Sequence, residues 1–279
     1  MKDRKKTKTN NPRKLFSGTY EYYAKYRPDI PEEVIDVIVE HLGIKPSDRV
    51  LDIGCGTGQV ALAMEGRCKE VVSLDPDPEM LEWAKKATKN SKTKLTWLNY
   101  GAEDLGKIKK RLPIFKLATI CRAFHWMNQD QVLKDLNDLI KKDGGIAILG
   151  DKSFWTGNEK WQRAIKKVIQ KYLGEERRTG KGKFKKSDEL WENIIARSPF
   201  KFVKRYDMPI VRTWNIDTII GCLFSTSFAS PPLFGNQLGD FTKDVEKTLL
   251  AINPNGFFKD NAVWSIVLAS KKSRQITTI

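Results

Sequence analysis

Short apolar runs alternate along this chain with longer stretches whose apolar residues recur at helical spacing. Val34, Ile35, Ile38, Val39 and Leu42 share one helical face, which predicts a helix with Pro31 at its first position and a stop at Gly43. His41 lies near its C-terminus, where a positive charge is favoured. Val50–Ile53 reads as a buried strand, and a glycine-rich turn and an apolar helix to about residue 66 follow it. Further strands are predicted at Glu70–Asp75, Lys94–Asn99, Phe115–Cys121 and Ile146–Leu149. A helix opens at Pro76, and another at Gln131–Lys142 carries Val132, Leu133, Leu136, Leu139 and Ile140 on one face. Strands separated by helices call for an α/β fold with a mostly parallel sheet.

Beyond Gly150 the pattern changes. Trp161, Ile165, Val168, Ile169 and Tyr172 form one helical face, and Gly174–Lys186 is a polar loop rich in Arg, Lys and Gly. A helix is predicted at Asp188–Arg197, an extended pair or hairpin over Phe200–Thr213, an apolar helix at Ile216–Phe228 bearing Ser225, Thr226 and Ser227, and a last strand at Ala262–Ala269. These elements exceed the helix and two strands that a minimal α/β sheet still needs. Near the other end, Phe16, Tyr20, Tyr22, Tyr23 and Tyr26 crowd into eleven residues. That segment is too apolar for a tail, and Arg27-Pro28 ends it.

The turn after the first strand carries the chemistry. It reads Asp52-Ile53-Gly54-Cys55-Gly56-Thr57-Gly58-Gln59. Glycines let the backbone approach a ligand closely, with a helix N-terminus aimed at it. A dinucleotide-binding turn spaces its glycines G-x-G-x-x-G, whereas here Gln59 stands in the third slot. Asp75 ends the second strand 23 residues beyond Asp52, close to the roughly 20-residue gap at which an acid meets a ribose hydroxyl.

This D-x-G-x-G-x-G pattern with the following acid resembles the class I S-adenosylmethionine-dependent methyltransferases, over about residues 15–150. The resemblance implies a Rossmann-like, seven-stranded, mostly parallel sheet with helices on both faces and a helical cap insertion. It implies S-adenosylmethionine as cofactor, with S-adenosylhomocysteine as product. The cofactor-binding set it implies is Asp52, Gly54, Cys55, Gly56 and Gly58 in the turn, Asp75 and Pro76 at the ribose, Met80 against the adenine, Ala102 and Glu103 after the third strand, and Cys121, Arg122 and Ala123 after the fourth. Family members often carry an acid where Tyr100 or Gly101 stands, so Glu103 departs from the pattern. The aromatic N-terminal segment resembles one folded over the cofactor, where Tyr23 and Arg27 would reach the methionyl carboxylate, Arg through a forked pair. His125, in Phe124-His125-Trp126, follows the fourth strand, and a neutral imidazole there is a natural proton acceptor. The surplus helices within 151–261 resemble the cap of small-molecule members, such as the ubiquinone/menaquinone-biosynthesis and trans-aconitate-type enzymes.

Composition bears on the partner and the compartment. Among the 279 residues the net charge is +16. Residues 1–14, expected to form a disordered basic tail, hold +6, and Lys271, Lys272 and Arg274 in the 271–279 tail hold +3. More than half of the excess thus lies in tails flanking one domain at 15–270, which favours a solvated basic surface over a nucleic-acid partner. An RNA methyltransferase such as a tRNA enzyme is the alternative, but Cys121-Arg122-Ala123-Phe124 lacks the Pro-Pro-aromatic signature of DNA-amino members, and Cys121 follows Ile120 where the RNA cytosine-C5 enzymes have Pro-Cys. A non-catalytic binding subunit is a further alternative, and the complete acid and glycine set argues against it. The four cysteines show no C-x-x-C pairing, so neither zinc nor a disulfide framework is expected and a reducing cytoplasm fits. No apolar run approaches the roughly 18 residues that cross a bilayer.

Overall fold

The computed structural model describes residues 16–179, 182–183 and 189–272. The basic tail expected at 1–14 lies outside the described residues. The first half runs α1 (Tyr20–Tyr26), α2 (Glu32–Leu42), β1 (Arg49–Ile53), α3 (Gln59–Ala63), β2 (Glu70–Leu74), α4 (Pro78–Ala87), β3 (Lys94–Leu98), α5 (Leu105–Ile108), β4 (Phe115–Cys121), α6 (Gln129–Leu139) and β5 (Ile140–Asp151). The second half runs α7 (Lys160–Leu173), the short β6 (Arg178–Thr179) and β7 (Gly182–Lys183), α8 (Trp191–Ala196), β8 (Phe202–Asn215), α9 (Ile216–Phe224), α10 (Leu238–Ile252) and β9 (Phe257–Ser270).

One seven-stranded sheet has the order β3-β2-β1-β4-β5-β9-β8. The first five strands are parallel, and β9 runs antiparallel to both β5 and β8. Strand order reverses between β1 and β4, the place where such sheets bind ligands beyond their carboxyl ends. The two-residue period of the strands gives each face its own core. Leu51, Ile53, Ala118, Ile120, Ile146 and Ile148 pack towards α5, α6 and α8, while Val50, Leu117, Ala147 and Leu149 pack towards α2 and α3. Asp52 and Thr119 pair across β1 and β4.

A third apolar cluster belongs to the insertion. Ile165 and Ile169 of α7, Ile219 and Leu223 of α9, and Phe241, Val245 and Leu249 of α10 pack together with Phe154, Trp214 and Phe258. The surplus helices α7, α9 and α10 therefore make a core of their own. Helix α1 leans on this unit through α9: a Cβ on Gly221 would meet the Tyr26 ring at 2.3 Å.

Several boundaries differ from the sequence-based expectation. Pro31 is the N-cap of α2, one position before N1. β5 begins at Ile140, directly after α6, with an irregularity in its pairing between Phe115 and Leu117; Lys116 Nζ bridges it by donating to Asp143 O and Oδ2 at 2.8 and 2.7 Å. Phe202–Asn215 is one long strand paired with β9, so the hairpin is absent. α9 stops at Phe224, because Ser225 and Thr226 turn their hydroxyls back onto the carbonyls of Cys222 and Leu223. The sequence-based expectation lacks α10, although Leu238, Phe241, Val245, Leu249 and Ile252 share one face of it and Gly239 and Asp240 are exposed. Among the described residues, no helix is long and apolar enough to cross a membrane.

The α1–α9 contact is testable. Gly221→Ala should cost about 1–3 kcal/mol, as overpacking does, read as a lower urea midpoint with an unchanged m value. Gly239→Ala in α10, where a Cβ would meet nothing within 4 Å, should leave the midpoint unchanged or raise it.

Candidate active site

A cleft opens beyond the carboxyl ends of β1, β2 and β4. Its floor is the glycine turn, in which Gly54, Gly56 and Gly58 have φ of 69°, 52° and 85°, a region costly to a residue with a Cβ. Space adds a second constraint: a Cβ on Gly54 would lie 2.7 Å from that of Ala123, and one on Gly58 would lie 3.0 Å from Trp97. Gly58 is the N-cap of α3. The turn is held from beneath, since Gly54 and Cys55 donate their N–H groups to Leu74 O at 2.8 and 3.0 Å.

Asp75 fixes the far wall. Its Oδ2 accepts from Gly56 N at 2.8 Å and its Oδ1 from Asp77 N at 2.9 Å. Burial pushes this carboxyl up to about 6 despite those two donors. Asp77 caps α4 by accepting from Glu79 N at 3.0 Å through Oδ1, and its Oδ2 is buried without a partner. Met80 and Ala102 are buried beside it.

Of the residues singled out in the sequence, Tyr23, Gly54, Gly56, Asp75, Pro76, Met80, Ala102, Glu103, Cys121, Arg122 and Ala123 come together on this cleft. Tyr23 hangs from α1 over the turn, with its Cε1 3.7 Å from where a Gly56 Cβ would be. Glu103 Oε1 accepts from Asn128 N at 3.0 Å, tying the rim to the start of α6. Burial pushes the Cys121 thiol up to about 12, so it is no thiolate at neutral pH. Asp77, Phe16 and Trp126 also line the cleft, and sequence reasoning had not placed them there. Asp77 carried a readable signal, an acid directly before Pro78. Phe16 meets Tyr23 and Trp126 edge-on at 6.1 and 6.2 Å, a contact no local pattern could announce.

The remaining candidates lie behind or beside the lining. Cys55 and Gly58 are buried parts of the turn. Asp52 lies fully buried beneath it, accepting from Thr119 Oγ1 at 2.8 Å. Burial pushes it up to about 7. Arg27 points towards the insertion, its guanidinium 5.0 Å over the Tyr23 ring and its Nη2 donating to Ser225 O at 3.4 Å. His125 stands on the insertion side of the Phe124–Trp126 turn, 4.4 Å from the Trp126 ring. Its ring surface is open to water, but protein crowds it on most sides and Arg177 and Arg27 add positive charge. Together these hold the imidazole below its usual range, neutral at pH 7.

Arg122 has a structural task beside its place in the lining. Its Nε donates to Asp151 Oδ1 at 2.7 Å, its Nη1 and Nη2 to Pro28 O at 3.2 Å, and its Nη1 to Gln59 Oε1 at 3.0 Å. Arg212 Nη1 takes the other Asp151 oxygen at 2.6 Å. Burial alone would raise the Asp151 carboxyl; the two arginines outweigh it and hold the group down to about 2.

Asp52 gives a signed pH prediction. A carboxyl raised from its ordinary value to about 7 binds its proton more tightly in the folded chain, so its contribution to stability is lost as pH rises through that range. Asp75, raised to about 6, adds a slope of the same sign. Asp52→Asn, which can still accept from Thr119, should gain stability relative to the parent between pH 5 and pH 7.5. Urea midpoints at the two pH values would show this, and parallel changes in the two proteins would refute it.

Comparison with known proteins agrees with the fold and the turn. A family described as a methyltransferase domain matches residues 50–144. The probable S-adenosylmethionine-dependent methyltransferase CRG1 of Saccharomyces cerevisiae is 30% identical over 144 residues, which are 50% of this chain and 47% of the yeast one; the match thus spans about half of that relative's length. An uncharacterized methyltransferase of Mycobacterium tuberculosis is 24% identical over 243 residues, 86% of each chain. Among solved structures, a putative type II methyltransferase from Anaeromyxobacter dehalogenans superposes with a TM-score of 0.58 at 16% identity, covering 88% of this chain and 97% of that one. The domain matched at residues 50–144 is a methyltransferase domain, and the turn and strand order around it resemble those of the class I S-adenosylmethionine-dependent methyltransferases.

Proposed function

We propose that this chain transfers a methyl group from S-adenosylmethionine to a small-molecule acceptor in a reducing cytoplasm. The observation that carries the reading is the cradle itself: three left-handed glycines beside an acid that already holds the turn, roofed by Tyr23 of α1. The residues fit the cofactor. Asp75 has lone pairs to spare for ribose hydroxyls, the orphaned Asp77 Oδ2 awaits a donor, and Met80 and Ala102 offer an apolar wall. A turn roofed by the chain's own helix α1 suits a small acceptor better than a polymer.

When bound, the cofactor supplies an electrophilic methyl group on a sulfonium centre. The work left to the protein is to bind, orient and exclude water. Tyr23, Phe16 and Trp126 wall the cleft with apolar surface. His125, neutral at pH 7, is the group that would take the proton an acceptor hydroxyl or amine must lose.

Two measurements test this. Asp75→Ala removes charge-assisted hydrogen bonds worth roughly 1.5–3 kcal/mol each, so calorimetry should show S-adenosylhomocysteine binding weakened by at least about tenfold with the circular dichroism spectrum intact. Unchanged affinity would remove Asp75 from the ribose site.

The second measurement concerns His125. Since a general base works only unprotonated and this imidazole is held low, the rate should fall on acidification only below the ordinary histidine range, near 6.5. His125→Asn should lower kcat by about 10²–10⁴-fold, leave cofactor affinity unchanged and abolish that acidic limb. Loss of stability without loss of kcat would show that the residue merely packs.

A further inference from the structure

Helix α1 carries the Tyr23 ring over the glycine turn, yet has little of its own to hold it there. It is seven residues long, no side chain in it is fully buried, and its N-cap residue Thr19 makes no side-chain capping bond. A helix of that length is marginal alone. On one flank it leans on α9, with Tyr22 edge-on to Phe224 at 5.2 Å and Tyr26 against Gly221. On the other flank it meets the turn, and there the hold is polar.

A helix ends in carbonyls that have no partner within it. Arg27 is the C-cap of α1, and Pro28 follows it. Gln59, the first residue of α3, donates from Nε2 to Arg27 O and to Pro28 O, both at 3.3 Å. Arg122 donates to Pro28 O from Nη1 and Nη2 at 3.2 Å, and its Nη1 also donates to Gln59 Oε1 at 3.0 Å. Arg122 is itself fixed on Asp151. This clasp ties the end of α1 to the residue directly after Gly58. Gln59, Arg27 and Pro28 all lie outside the lining of the cleft, so their contacts with one another do not compete with a bound molecule.

The Tyr23 ring belongs to the lining and touches the turn, with Cε1 and Cζ 3.7 and 3.9 Å from where a Gly56 Cβ would be. A molecule settling on the turn beneath that ring needs the ring to lift, and the ring moves with α1. We propose that Gln59 is a positioning residue that gates the cofactor cleft: its clasp on Arg27 and Pro28 keeps Tyr23 down over Gly56, and S-adenosylmethionine enters and S-adenosylhomocysteine leaves when the clasp opens and α1 swings from the turn about its contact with α9. This inference rests on the methyltransferase reading and names what controls access to that site. Loosening the clasp eases entry and exit alike, so both rates rise and the affinity stays nearly constant. A residue that touched the cofactor would instead speed dissociation and weaken affinity in step.

The test uses the full chain with S-adenosylhomocysteine. Calorimetry gives Kd, a chase of labelled by unlabelled ligand gives koff, and their ratio gives the association rate. Gln59→Leu keeps the bulk and loses both donated bonds. It should raise koff by at least about fivefold, the change in open population that two neutral hydrogen bonds support, with Kd within about twofold. Gln59→Glu keeps the acceptor for Arg122 but has no N–H for the two carbonyls, and an acid is favoured in the first turn of a helix. It should behave the same way, and it serves where Gln59→Leu does not fold. Hydrogen exchange across residues 20–27 should quicken in both variants while β1 and β4 stay protected.

Three results would overturn the proposal: koff unchanged in both variants, Kd weakened in proportion to koff, or exchange across residues 20–27 unaltered. Failure of the parent chain to bind S-adenosylhomocysteine at all would instead overturn the methyltransferase reading, and this inference with it.

Discussion

Asp151 sits at the end of β5 with one oxygen on Arg122 and the other on Arg212, and the shape of the cleft depends on that buried carboxylate. Charges taken out of water are costly, and removing one member of such a set typically costs about 3–5 kcal/mol because the others stay behind uncompensated. Arg122 extends the set in two directions. It stacks over Trp264 at 4.7 Å and reaches the Pro28 carbonyl and the Gln59 side chain. The ends of β4 and β5, the C-terminal part of β8, the return from α1 and the start of α3 are thereby fixed with respect to one another. Its backbone is left-handed, φ 55°, unlike any other described non-glycine residue. Such a conformation persists where surrounding contacts over-determine it, and here the N–H to Leu149 O and the anchored guanidinium do so.

Gln59 shows why the turn departs from the dinucleotide spacing. Its amide donates to the carbonyls of Arg27 and Pro28, both at 3.3 Å, and its oxygen accepts from Arg122. A glycine in that slot would leave the N-terminal segment without its tie to the motif. The same tie carries Tyr23 over Gly56, so the roof of the cleft is secured by the residue that breaks the pattern.

The cleft and the third core come from different parts of the chain. The floor and walls belong to the parallel half of the sheet, with its two cores. The insertion stands apart from that lining, and its helices bury a third core of their own. Helix α1 joins the two, with Tyr23 over the turn and Tyr26 against Gly221. The insertion can therefore vary without disturbing the glycine turn, as is general for folds that host many activities on one scaffold.

The sequence by itself determined the parallel half. Short apolar runs set β1 to β4 within a residue or so, and the run Asp52 to Gly58 with Asp75 announced the cleft, because a tight turn demands glycine and a polar ligand demands an acid at a fixed remove. Local patterns of that kind are written in consecutive residues. Tertiary structure alone decided the rest. The β8–β9 pairing joins residues more than forty apart, and the apolar face of α10 finds its partners only in the third core. The contact from Arg27 to Ser225 O joins residues 198 apart, and no local pattern announces it. The direction in which a long charged side chain settles is set by the partners and the dielectric it finds once the chain has folded, and those are contributed by distant segments.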